Sequence, residues 1–256
     1  MRQREDLIKI FDDTELLVEK AFDTSLISVK ESFDITPVKP YDCKGTKQGL
    51  VTVDNIDCVT VAQTLSYSGK TCILNMASHY SPGGGVRNGA RAQEEELCRR
   101  SNLIYGLEHN DNDKLYPIKE SEYIYTRGVT FFKDSNYMVC EPFELDVLTI
   151  PAINRNKEKD KWLFEGPEDT YQLLMENKIL QTITKPFDEG CENLVLSAFG
   201  CGVFKNDPKY VSSVYRKFLF DYNARRFFKR ISFAILNDSN SVGTNFEIFK
   251  KELDAQ

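Results

Sequence analysis

Residues 71–100 read TCILNMASHYSPGGGVRNGARAQEEELCRR, and this stretch decides the fold. It opens with a compact β-prone run, TCILNMA at 71–77, and passes through a polar loop holding Gly83-Gly84-Gly85. It then enters a charged segment that reads as a helix over about 92–107. A buried strand, a glycine loop and a helix in that order form part of an α/β layer. The same arrangement returns later: NLVLSAF at 193–199, Gly200-Cys201-Gly202-Val203-Phe204-Lys205-Asn206, and a helix read over 208–228.

Working outward, VTVDN at 51–55 reads as a short strand, and Asp57 is placed to cap a helix running to about residue 68. IYTRGVTFF at 124–132, DVLTIPAI at 146–153 and RISFAIL at 230–236 read as strands, with helices over 169–185 and 245–253. Strands alternating with helices argue for an α/β/α sandwich with a mostly buried sheet. At the N-terminus, apolar residues at 7, 10, 11, 17, 18, 21 and 22 give residues 4–22 an amphipathic helical face. Residues 26–48 hold Pro37 and Pro40 and show little period, so they read as an extended arm. No Gly-, Ser- or Pro-rich linker divides the chain. The expectation is an N-terminal helical extension and arm over 1–48, packed on one domain over 49–256.

Composition narrows the class. Hydrophobic residues are 41% of the 256 and charged residues 28%, which suits a packed core and excludes disordered or fibrous chains. A net charge of −6 argues against general DNA binding, which needs surplus Lys and Arg. No apolar run approaches the roughly 20 residues that span a bilayer, and MRQREDLIKIFDD lacks the apolar core of a signal peptide. The seven cysteines form no Cys-x-x-Cys pair, and only His79 and His109 are present. The reading is no metal, no cofactor, no membrane, and a reducing intracellular setting, cytoplasmic or, for a eukaryotic or viral chain, nuclear.

Both glycine loops follow buried strands, where open α/β sheets bind ligands. Glycines there let backbone N–H groups approach a diphosphate, and equally they can serve only to make tight turns. Gly69-Lys70-Thr71 resembles the end of a P-loop, but Thr64 stands where the earlier glycine belongs, and neither glycine loop spells Gly-x-Gly-x-x-Gly. The sharpest feature is Gln93-Glu94-Glu95-Glu96. Acidic residues suit a helix start through the macrodipole alone. Helix geometry turns successive side chains by about 100°, so one or two of the three carboxylates can face a common cleft.

Asn75-Met76-Ala77, Pro82-Gly83-Gly84-Gly85, Gln93-Glu94-Glu95 and Leu97-Cys98-Arg99-Arg100-Ser101 together resemble the microbial-type poly(ADP-ribose) glycohydrolases of the macrodomain superfamily. The gap between the three glycines and Gln-Glu-Glu is seven residues. The likeness continues through Arg127–Phe132, Asp146–Thr149 and Gly200–Pro208, and so covers most of the chain. Glu96 is additional, Pro151-Ala152-Ile153-Asn154 stands for the usual Ala-Pro-Asn, and Ser197-Ala198-Phe199 for a small-plus-Trp run.

The resemblance implies a three-layer α/β/α macrodomain-like sandwich with a mixed sheet. It implies that Glu95 is the catalytic acid and that Glu94 holds hydroxyls of the distal ribose. Gly83, Gly84, Gly85 and Val86 would wrap that ribose and the diphosphate. Gly200, Gly202, Val203 and Phe204 would form the second diphosphate loop, with Phe204 against the ribose. Asn75, Gln93, Cys201 and Asn206 complete the substrate-binding set. The implied activity is hydrolysis of ribose–ribose bonds in poly(ADP-ribose), or release from ADP-ribosylated protein, with ADP-ribose as product. A non-catalytic ADP-ribose reader, or a hydrolase of mono-ADP-ribosyl or O-acyl-ADP-ribose substrates, fits the same loops. Among other residues, His79, Trp162, Cys98 and Cys201 read as packing. Asn88 reads as loop support and Arg99 and Arg100 as helix-surface or supporting ion pairs. Aromatics near 123–132 are candidates for the adenine side.

Overall fold

The computed structural model describes residues 2–39, 45–108, 115–158, 162–237 and 245–254, so Cys43 and His109 lie outside the described residues. In chain order the elements are α1 (Arg4–Ala21), β1 (Ser28–Ser32), β2 (Leu50–Asp54), α2 (Cys58–Ser66), β3 (Thr71–Met76), α3 (Gln93–Arg100) and α4 (Leu103–Glu108). There follow β4 (Glu122–Lys133), β5 (Val139–Ile150), α5 (Glu168–Asp188), β6 (Asn193–Leu196), α6 (Pro208–Arg216), β7 (Arg230–Ala234) and α7 (Asn245–Leu253). The strand order is β1-β4-β5-β3-β6-β7-β2, a mixed seven-stranded sheet with helices, as the resemblance implied. The chain divides into two compact units, Met1–Ser32 with Asn75–Pro151, and Phe33–Leu74 with Ala152–Gln256, so β3 starts in one and ends in the other.

The first unit is built on an antiparallel ladder. β4 pairs with β5, and β1 pairs with β4 from Ser28↔Thr126 to Ser32↔Glu122. β1 corrects the reading of 26–48 as arm throughout. Its sequence, SVKES, is polar because an edge strand buries little, and it carries no apolar alternation to read. The β4–β5 ribbon is longer at its open end than the apolar runs suggested, because its outer half is exposed and includes Pro142. The expected helix over 92–107 is two helices. Ser101 Oγ donates to Leu97 O at 2.7 Å, and Asn102 trades hydrogen bonds with Thr130 of β4, so both leave the helical path. α1 docks through Leu7, Phe11 and Val18, all buried, and Thr14 Oγ1 donates to Arg99 O at 2.6 Å.

The second unit is parallel. β6 pairs with β7, β7 with β2, and Thr71–Ile73 of β3 with β6. All four residues of β6 are buried, the pattern of a strand covered on both faces. Phe233 of β7 meets Tyr215 of α6 and Phe249 of α7 on one face. On the other face Thr52 and Ser232 share a groove with Thr60 and Thr64 of α2. Asp57 caps α2 through Thr60 N at 2.9 Å, as its position predicted. Asp207 caps α6, with Pro208 at the first helical position. The expected helix over 208–228 stops being α-helical after Arg216, passing into a π turn over Lys217–Asp221 and a 3-10 turn over Ala224–Phe227.

Candidate active site

β3 ends at Met76, and the chain turns through the first glycine loop to reach α3. Three consecutive side chains at the start of α3 each accept a backbone N–H from that path. Gln93 Oε1 accepts from Met76 at 2.8 Å, Glu94 Oε2 from Ser78 at 2.7 Å and Glu95 Oε1 from Gly85 at 2.9 Å. The helix dipole therefore does not explain these carboxylates: Glu94 is 3% and Glu95 6% exposed. Gly84 makes the close approach feasible. Its φ is +58°, and a Cβ there would lie 2.7 Å from Glu95 Oε1 and 2.9 Å from Glu94 Oε2.

The remaining carboxylate oxygens, Glu94 Oε1 and Glu95 Oε2, are buried and make no well-formed hydrogen bond among the described residues, although the Asn75 amide and the Gly83 N–H lie near enough to favour the Glu94 charge. Asn75 Oδ1 is likewise buried without such a bond, while Asn75 Nδ2 donates to Thr149 Oγ1 at 3.1 Å. Burial holds the Glu94 carboxyl well above the usual carboxylate range. The Ser78 N–H opposes that shift and the Glu95 charge adds to it. Glu96 turns elsewhere, accepting from Tyr137 Oη at 2.7 Å and from Arg99 at 3.0 Å. Two of the three carboxylates share the loop, as the 100° helical step requires.

Other donors of the first loop are used within the protein. Gly84 N–H goes to Ser81 O at 3.0 Å and Val86 N–H to Gly83 O at 3.1 Å. With the Gly85 N–H on Glu95, these three groups are not available to a ligand in this structure. Arg99, fully buried, ties the far end of the loop down by donating to Ala90 O, and it also reaches Leu7 O of α1 at 3.4 Å. Arg99 and Arg100 are thus core residues, which corrects the helix-surface reading, while the alternative of a supporting ion pair holds for Arg99 with Glu96. His79 is buried and donates from Nδ1 to Ile118 O at 2.9 Å, a packing role as read. Asn88 is exposed.

The second loop belongs to the other unit and is built differently. Asn206 Nδ2 donates to Ile153 O at 2.8 Å and Gly200 O at 3.0 Å, and Asn206 Oδ1 accepts from Tyr171 at 3.0 Å. Asn156 Nδ2 donates to Val203 O at 2.8 Å, and Arg155 N–H to Phe204 O at 2.9 Å. Asn206 is therefore the clamp of this loop, with its amide committed to protein. Val203 is 39% exposed and Phe204 half-buried at the tip. Cys201 is buried, which pushes its thiol up, and Cys98 likewise under the first loop.

The aromatics of 123–132 are core residues, correcting their reading as candidates for an adenine side. Tyr123 Oη donates to Glu31, Tyr125 Oη to Asp146, and Phe132 stacks on Phe22 with centroids 4.3 Å apart. Among the described residues no group of three or more His, Cys, Asp or Glu stands ready to hold a metal ion. No described helix is long and apolar enough to cross a membrane.

A mixed sheet with a glycine loop folded over a buried pair of glutamates defines a macrodomain-like α/β protein. Residues 17–134, which include both glutamates, match the microbial-type PARG (poly(ADP-ribose) glycohydrolase) catalytic domain. The fold is similar to poly(ADP-ribose) glycohydrolase from Thermomonospora curvata, with TM-score 0.75 and 24% identity over 97% of this chain and 99% of that one. A second T. curvata structure, bound to the inhibitor ADP-HPD, gives 0.72 at 25% identity over 96% and 99%. The Deinococcus radiodurans enzyme in complex with ADP-ribose gives 0.71 at 23% over 98% and 90%. No curated protein matches the chain by sequence.

Proposed function

We propose that this chain is a poly(ADP-ribose) glycohydrolase that hydrolyses ribose–ribose O-glycosidic bonds, with Glu95 as general acid and ADP-ribose as product. The observation that supports it is the pair of glutamates, each fixed at one oxygen by a backbone N–H and without a well-formed hydrogen bond among the described residues at the other. Buried carboxylate oxygens without partners are costly in a finished core and useful in a ligand site.

Glycoside cleavage passes through an oxocarbenium-like state, and the leaving oxygen needs a proton. With Glu95 Oε1 held by Gly85, only Oε2 is left to deliver it. Glu94, kept towards its neutral form by burial, offers ribose hydroxyls one donor and one acceptor. The first glycine loop contributes close approach. In the other unit, the N–H groups of Gly202 and Val203 have no partner among the described residues and by themselves suit an anion. Polymer or ADP-ribosylated protein is the substrate. The free cysteines fit a reducing, intracellular setting.

Glu95→Gln keeps the shape of the site and removes the acid. Calorimetry is expected to find ADP-ribose binding retained, with turnover of labelled polymer down roughly 10²–10⁴-fold. Unchanged turnover removes Glu95 from the chemistry. Binding without product release by the wild type makes the chain an ADP-ribose reader instead.

A further inference from the structure

Tyr116 lies between α4 and β4, outside every motif used so far. It is 9% exposed, and its hydroxyl is buried without a hydrogen-bond partner among the described residues. Buried tyrosine hydroxyls nearly always find one. The backbone ties this residue's segment to the loop that holds Glu94. Ser78 N–H binds Glu94, and the next residue, His79, is doubly paired with Ile118: Ile118 N–H donates to His79 O at 2.9 Å, and His79 Nδ1 returns a bond of the same length to Ile118 O. Tyr116 is two residues from that anchor. The phenol also feels the site: burial raises it well above its ordinary range, and the Glu94 charge is the next contribution.

Glu94 Oε1 and Asn75 Oδ1 are likewise buried without a well-formed hydrogen bond among the described residues. A phenol, a carboxyl and an amide are donors and acceptors suited to a vicinal diol. We propose that the Tyr116 hydroxyl is a further sugar-binding group, donating a hydrogen bond to a hydroxyl of the ribose seated against Glu94. The inference rests on the ADP-ribose reading of the site. It adds a recognition contact from a segment that the glycine loops and the acid helix do not include.

The test is Tyr116→Phe, which removes one oxygen and keeps the ring. Calorimetry with ADP-ribose and with ADP, which lacks the second ribose, is combined with turnover and with the melting temperature of the ligand-free protein. ADP-ribose is expected to bind about 3- to 10-fold more weakly, with ADP unchanged, kcat/KM lowered by at least that factor, and the melting temperature unchanged or raised. Equal ADP-ribose affinity in the two proteins overturns the inference. So does an equal loss for ADP and ADP-ribose, or a lower melting temperature without a loss of affinity. If the wild type binds no ADP-ribose, the parent reading fails and this one with it. Turnover lost in Glu95→Gln but unaltered in Tyr116→Phe removes this inference alone.

Discussion

The two glycine loops look alike in sequence and do opposite things with their backbone. In the first, the N–H groups of Gly84, Gly85 and Val86 turn inward, and the loop closes over two glutamates. In the second, side chains of Asn156 and Asn206 grip the loop's carbonyls from below, and the donors of Gly202 and Val203 are left over. One loop encloses two carboxyl groups, and the other is braced by asparagine amides on its carbonyls. A glycine count does not separate them. What separates them is which neighbouring residue takes the backbone groups.

Breaking the first loop should have the larger effect. Gly84→Ala forces a Cβ into both carboxylates at a positive φ, so the loop must shift and carry the Gly85 N–H off Glu95. A misplacement of about 1 Å at such a site costs on the order of 10²-fold in rate. A polymer turnover assay showing near-wild-type rates would contradict this account of Gly84. Next in size is Asn206→Ala, which removes three hydrogen bonds from the second loop. A loss of about 2–3 kcal/mol in urea unfolding is expected, together with weaker ADP-ribose binding.

Glu94→Gln sharpens the comparison through pH. A carboxyl raised in the folded state adds stability that is fully present below about 4.5 and is lost as pH climbs through the raised folded value. The glutamine stays neutral, so the variant should lose that slope and melt higher at pH 7, by about 2–4 °C for each 1 kcal/mol regained. Melting curves from pH 4 to 8 decide it, and an identical slope in both proteins assigns the effect to other groups. The smallest change belongs to Gly202→Ala, whose Cβ would meet nothing within 4 Å. Stability within about 0.5 kcal/mol of wild type is expected, and a large loss would show that this loop is as tightly shaped as the first.

Much of this was legible in the residues. TCILNM announced β3 because a strand buried on both faces is apolar throughout, and Asp57 marked a helix start by its capping chemistry. The spacing of Gly83–Gly85 and Gln93-Glu94-Glu95 pointed to a loop and a helix start that meet, and they do so through Glu94 and Glu95. Long-range partners could not be read. SVKES becomes a strand only because β4 offers it an edge, and Ser101 and Asn102 leave the helix only because Thr130 is there to bind. Tyr125 and Phe132 look like ligand-binding aromatics until Asp146 and Phe22 are found against them. Tyr116 is silent in sequence, since a lone tyrosine shows its missing partner only in three dimensions.

The docking of α1 bears on how the protein can be dissected. Arg4 O stands 2.4 Å from where a Gly89 Cβ would be, Leu7 O and Thr14 meet Arg99, and Lys133 is buried against Asp13 and Thr14. A chain trimmed to begin at residue 49 would leave a guanidinium and an ammonium stranded beneath a missing lid. Affinity tags and fusions belong ahead of Arg4, and any shortened version meant for expression should retain the whole first helix.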